Sequence, residues 1–84
     1  MTIKRNVVML DGVVMTTYPD GLFLVLLDND MEVLAVISGK MRYRHIRIIR
    51  GDRVKVELTI YDLSRGRIIY RYRREGESIS DLYG

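Results

Sequence analysis

Short runs of valine, isoleucine, leucine and tyrosine alternate along the whole chain with turns built from glycine, proline and aspartate. No stretch sustains a helical period, and no segment repeats, so the pattern predicts an all-β domain of short strands. A first strand is expected over Val7–Thr17, with Gly12 in its middle, where a glycine commonly marks a bulge or a sharp bend. Tyr18-Pro19-Asp20-Gly21 reads as a turn, because proline presets one dihedral and glycine accepts positive φ. Leu22–Leu27 is the second strand, Asp28-Asn29-Asp30 the next turn, and Glu32–Ser38 the third strand. Gly39 breaks the pattern, and Lys40–Ile46 is expected to form a short helix capped by Ser38 or Gly39. After the turn at Arg50-Gly51-Asp52, strict alternation over Arg53–Thr59 turns Val54, Val56 and Leu58 inward. Tyr61–Gly66 reads as a loop and Arg67–Arg73 as the last strand. Alternation there puts Ile68, Tyr70 and Tyr72 on the inner face and Ile69, Arg71 and Arg73 outside.

Five strands with a helix between the third and fourth is the order of an OB-fold barrel. Strand number alone fits an SH3-like barrel nearly as well, and the insertion after the third strand favours the OB reading. With 84 residues there is room for one domain and one small core. That domain is expected over residues 1–74, followed by an acidic, disordered tail over residues 75–84. A closed barrel leaves few free strand edges, so a monomer is expected. Leu24 and Leu26 fall on the outer face of the second strand, and the tail, a partner or plain exposure all accommodate them.

Charge changes this picture more than overall composition does. Residues 1–39 hold two basic and five acidic side chains; residues 40–74 hold twelve basic and three acidic ones; residues 75–84 hold three acids. A block of net +9 inside an otherwise acidic chain predicts a polarised surface whose natural partner is a polyanion. Ten of the twelve cations are arginine, which suits bidentate contacts to phosphates and bases. No cysteine is present, so disulfides, thiolate metal sites and a cysteine nucleophile are excluded. The longest apolar run, Leu22–Leu27, falls far short of the roughly 20 residues that span a bilayer. The first six residues lack a signal-peptide pattern, so the expected location is the cytoplasm, with the chloroplast stroma as the alternative for an imported or organellar protein.

Catalytic constellations are missing. His45 is the only histidine, which rules out a histidine dyad or a multi-histidine metal site. Ser38 and Ser64 lack a nucleophile motif, and no phosphate-binding glycine loop is present. Asp28, Asp30 and Glu32 resemble part of a calcium loop but lack its glycine and distal glutamate, and a solvated turn explains them. No enzyme, cofactor or metal is expected.

Binding chemistry concentrates in two segments. Lys40-Met41-Arg42-Tyr43-Arg44-His45-Ile46-Arg47 interleaves cations with Tyr43 and His45, groups that neutralise phosphates and stack on unpaired bases. The competing reading is a solvated charged face with Met41 and Ile46 packed inward. Ser64-Arg65-Gly66-Arg67 and Tyr70-Arg71-Tyr72-Arg73-Arg74 form the second segment, in which Arg71 and Arg73 can track a nucleic-acid backbone. Tyr70 and Tyr72 are better explained as core residues.

Several ordered motifs then extend this reading. Val36-Ile37-Ser38-Gly39-Lys40-Met41-Arg42, Ile46-Arg47-Ile48, Gly51-Asp52-Arg53-Val54, Tyr61-Asp62-Leu63 and Arg65-Gly66-Arg67-Ile68 closely resemble bacterial and organellar translation initiation factor one, and Tyr18-Pro19 with Phe23, Val25, Leu27 and Asn29 extends the likeness upstream. The resemblance spans about residues 7–73. It implies an S1-like OB fold and a non-enzymatic factor at the aminoacyl decoding site of the small ribosomal subunit. There the family contacts rRNA and a ribosomal protein, blocks premature tRNA access and assists the other initiation factors. It implies RNA contacts for Lys40, Met41, Arg42 and Arg47, and a second contact surface at Arg65, Arg67 and Arg71. Leu24, His45 and Ile60 replace the arginine, tyrosine and proline frequent in the family, and the acidic tail is unusual. A free-standing single-stranded RNA binder or RNA chaperone is the alternative in the same class, weakened by the single phenylalanine and missing tryptophan. A protein-interaction barrel docking through Leu24 and Leu26 is the alternative from another class, and a nuclease of OB architecture lacks its catalytic groups.

Overall fold

A computed structural model describes residues 6–74 and 76 of the protein. Five strands close into one barrel: β1 (Val7–Thr17), β2 (Leu22–Leu27), β3 (Glu32–Ile37), β4 (Arg53–Thr59) and β5 (Asp62–Arg71), with α1 (Gly39–Tyr43) between β3 and β4. Around the barrel the order is β1-β2-β3-β5-β4. All pairs are antiparallel except β3 with β5, where Leu34 lies opposite Arg65 and Ile37 opposite Ile68. This is the five-stranded OB-type barrel expected from the sequence.

β1 makes closure possible by serving two neighbours. Its first half pairs with β4, Val7 opposite Thr59, and its second half with β2, Thr17 opposite Phe23. Gly12 belongs to both ladders, facing Leu27 on one side and Val54 on the other. A Cβ there would stand 2.6 Å from the Leu26 carbonyl oxygen, so the crossing needs a residue without a side chain. The bulge in β1 falls at Met15, between Val14 and Thr16, rather than at the glycine.

Inside lie Val14, Val25, Leu27, Val33, Val54, Val56, Leu58 and Ile68, all essentially without solvent contact. The alternation of β2 and β4 delivers these side chains as the sequence predicts. Leu24 sits on the outside of the sheet opposite Leu34, and Leu26 opposite Glu32; cross-strand neighbours leave both half-buried.

The ladders give the barrel two distinct ends. The ends of β1, β3 and β5 meet the starts of β2 and β4 at one end, and α1 closes it by burying Met41 in the core. The starts of β1, β3 and β5 meet the ends of β2 and β4 at the other.

The third strand ends at Ile37, one residue short of the expected Ser38, and three larger expectations need correcting. The helix runs over Gly39–Tyr43 instead of Lys40–Ile46. Ser38 caps it, its Oγ accepting the Met41 N–H at 3.3 Å. Its other end is a Schellman turn: the Ile46 N–H donates to the Met41 carbonyl and the His45 N–H to the Arg42 carbonyl, each at 3.1 Å. His45 takes φ 57°, the left-handed conformation that usually calls for glycine, and Ile46 packs beside Met41 on the core. Next, β5 begins at Asp62 and ends at Arg71, so most of the segment read as a loop is strand, whereas Tyr72 and Arg73 lie beyond it. Finally, Lys55 faces Tyr70 while Val56 faces Ile68, which leaves Ile69 as an extra residue. This bulge reverses the alternation. Arg71 turns inward with its partner Val54, and Tyr70 and Tyr72 come to the outside. The expectation of a disordered tail concerns residues that, Gly76 apart, lie outside those described.

At position 45 the expected result is that His45→Gly keeps or raises thermal stability, while His45→Val costs about 1–2 kcal/mol, because a β-branched residue is strained at positive φ. Thermal unfolding of the two variants checks this.

Candidate nucleic-acid interface

The cationic residues gather at the helix-closed end of the barrel. Lys40, Arg42, Tyr43 and Arg44 belong to α1 and its cap, His45 to the Schellman turn, and Arg47 and Arg50 to the loop leading into β4; all are exposed, Tyr43 at 84%. The helix is only five residues long, so its macrodipole adds little; formal charges dominate. Arg73 follows β5 and lines a shallow depression with Arg50, Arg53 and Tyr72. Exposed arginines on α1, on the following loop and after β5 thus share this end of the barrel, although Arg42 and Arg73 are 31 positions apart in the chain.

Between residues 38 and 56 the only acid is Asp52, and it is buried, 5% exposed. Its carboxylate accepts the Ile49 N–H at 2.9 Å and a bidentate contact from Arg74, Nε and Nη2 each at 2.8 Å. Arg74 Nη2 also reaches the Arg47 carbonyl at 3.2 Å. The pair ties the end of the barrel chain to the loop carrying Arg47 and Arg50. It takes the carboxylate of this segment out of the surface field, so Asp52 offers the exposed cations no counter-charge.

The expected site residues separate into three groups. Lys40, Arg42, Tyr43, Arg44, His45, Arg47 and Arg73 share the basic end. Arg65 and Arg67 are exposed on β5, along the side of the barrel, and Arg67 Nη2 bonds Glu57 Oε1 at 2.7 Å. Met41 is buried in the core and Arg71 is 3% exposed, so both lie beneath the surface and neither presents its side chain to a ligand outside it. Arg71 lines a small cavity of about 90 Å³ under α1 with Lys40, Met41, Arg44 and Ile46. The inward reading of Met41 and Ile46 is the one the packing follows. The outer face instead receives Tyr72, whose hydroxyl donates to Asp11 Oδ1 at 2.7 Å and whose ring meets Tyr70 edge-on at 5.1 Å.

Sequence reasoning missed Arg50, and it gave Arg74 no role beyond membership of the second basic segment. Arg50 stands in a glycine turn, a context that reads as solvent, and Arg74 was the last cation before the acidic residues. Arg53 lines the same depression, and Asp28 holds it in a bidentate pair at 2.8 and 2.9 Å. The Arg53 hydrogen bond keeps the exposed Asp28 carboxyl below the usual carboxylate range.

Small closed barrel, helical plug and one strongly basic end together define an RNA-binding protein of the OB class. The family model of translation initiation factor 1A / IF-1 matches residues 4–81. The chain belongs to that family. The solution structure of translation initiation factor IF-1 from the Wolbachia endosymbiont strain TRS of Brugia malayi is similar, with 42% identity over 86% of this chain and 85% of that one and a TM-score of 0.68. YjeQ from Thermotoga maritima, 23% identical with a TM-score of 0.67, shares the fold over 81% of this chain and 24% of its own length.

Proposed function

We propose that this protein binds the small ribosomal subunit at the aminoacyl decoding site, lays its basic end on rRNA beside a ribosomal protein, blocks premature tRNA access and assists the other initiation factors. The observation that carries this reading is the cluster of exposed cations around α1 with the carboxylate of that segment buried. Arg42, Arg44, Arg47, Arg50 and Arg73 contact phosphates and set the orientation, while Tyr43 stacks on an unpaired base. Arg65 and Arg67 extend the contact along β5. The work is binding and occlusion, with no covalent step, no cofactor and no metal. The protein acts as a monomer, in the cytoplasm or in the stroma of a chloroplast.

Sedimentation of labelled protein with purified small subunits across a salt series tests the reading. The expected result is near-stoichiometric co-sedimentation that weakens steeply as salt rises, since each phosphate contact releases a counterion. Tight binding to free single-stranded RNA without binding to subunits would instead favour an RNA chaperone.

A further inference from the structure

Among the described residues, no helix closes the end of the barrel opposite α1. Val8, Leu10, Leu27, Met31, Leu58 and Leu63 line a cavity there of about 290 Å³, open to solvent between the β2–β3 and β4–β5 turns. Met31 and Leu63 are about 40% exposed, and beside them the β4–β5 turn presents Ile60 and Tyr61, the latter 77% exposed. That volume lies at the lower edge of small-molecule pockets, about 300–1,000 Å³, and suits one or two aliphatic side chains.

The rim decides what kind of partner fits. Asp30 stands between two residues of the β2–β3 turn that border the cavity, Glu32 opens β3, and Asp62 precedes Leu63. Ser64 donates its hydroxyl to Asp62 at 2.5 Å and its backbone N–H at 3.0 Å, and these bonds hold the carboxyl below the ordinary range, so it stays charged. Arg65 is the cation whose field reaches Asp62. Among the described residues this rim sets Asp30, Glu32 and Asp62 against Arg65, a balance that repels phosphate and anionic lipid and attracts cationic peptide.

We infer that this open end docks a segment of a partner protein carrying a large aliphatic side chain, leucine or methionine, between lysines or arginines. The aliphatic group fills the cavity, Ile60 and Tyr61 cover it, and the flanking cations meet Asp30, Glu32 and Asp62. Because the site lies at the far end from α1, partner and RNA are held together on opposite ends. That simultaneous occupancy rests on the proposed function; the docking itself does not.

The test uses the full chain with labelled leucine, valine and methionine methyl groups, titrated by NMR with the peptide Lys-Arg-Leu-Leu-Arg-Lys. Saturable shifts at Met31, Leu63 and Val8 are expected. Asp30→Asn together with Asp62→Asn, which preserve the turn geometry, are expected to weaken binding about five-fold. Small-subunit binding by the same variant stays at the wild-type level. Four results would overturn the inference: no shift at millimolar peptide, equal shifts with Glu-Asp-Leu-Leu-Asp-Glu or Lys-Arg-Ser-Ser-Arg-Lys, shifts confined to α1, or shifts seen only after deletion of residues 1–5, which would make the chain's own first segment the occupant. Loss of subunit binding in the variant would overturn the separation of the two ends.

Discussion

Gly12→Ala is expected to lower stability by about 3 kcal/mol, the upper part of the range for forced overpacking. The added Cβ would meet the Leu26 carbonyl oxygen at 2.6 Å, the Val25 Cγ1 at 2.9 Å and the Leu27 Cα at 3.0 Å. Two of these three are backbone atoms of a paired strand and cannot swing away. At about 4–8 °C per kcal/mol for a domain of this size, the thermal midpoint falls by roughly 12–24 °C. Gly39→Ala is the control, because nothing lies within 4 Å of its Cβ position in the first turn of α1, and it is expected to be neutral or stabilising by up to about 1 kcal/mol. Equal midpoints for the two variants would show that β1 does not cross between its neighbours at Gly12.

The second large effect concerns binding. Arg42→Ala together with Arg47→Ala is expected to reduce affinity for the small subunit about 100-fold, close to 1.4 kcal/mol for each arginine removed. Both side chains are exposed and neither belongs to the core, so the thermal midpoint should hardly move. The salt dependence should flatten by about one unit of logarithmic slope for each arginine. Arg67→Ala should cost less, because Glu57 already occupies part of that guanidinium. A loss of affinity with an unchanged salt slope would mean that the two arginines act on something other than phosphate.

The expectations that held and those that failed differ in what encodes them. β1, β2 and β4 were legible to the residue because alternation and flanking turn residues carry the same information. The end of α1 was not, since the Schellman turn uses His45 where the usual signal is glycine. The inner face of β5 was misread for a related reason. A single bulge at Ile69 exchanges Tyr70 and Tyr72 for Arg71, and no residue type there announces a bulge. The basic end was half legible. Arg42 and Arg47 sit in a run that displays itself, whereas the convergence of Arg50, Arg73 and Arg74 depends on the barrel closing. The burial of Asp52, which withdraws its carboxylate from the surface that those cations share, is a tertiary fact; the sequence alone shows only a turn.

The pairing of Asp52 with Arg74 also shows why charge counting overstates a binding surface. Of the cations between residues 40 and 74, Arg53, Arg67 and Arg74 form close pairs with carboxylates, Lys55 stands 3.9 Å from Asp11, and Arg71 lies inside. Those on α1, the following loop and Arg73 set the direction of the surface field.

The most direct test of the central claim is chemical footprinting of small-subunit rRNA with and without the protein, repeated with the Arg42→Ala, Arg47→Ala variant. The account predicts protection at the decoding site, lost in the variant at equal concentration, together with reduced tRNA binding to the aminoacyl site. Protection elsewhere on the subunit, or decoding-site protection that the variant retains in full, would contradict it.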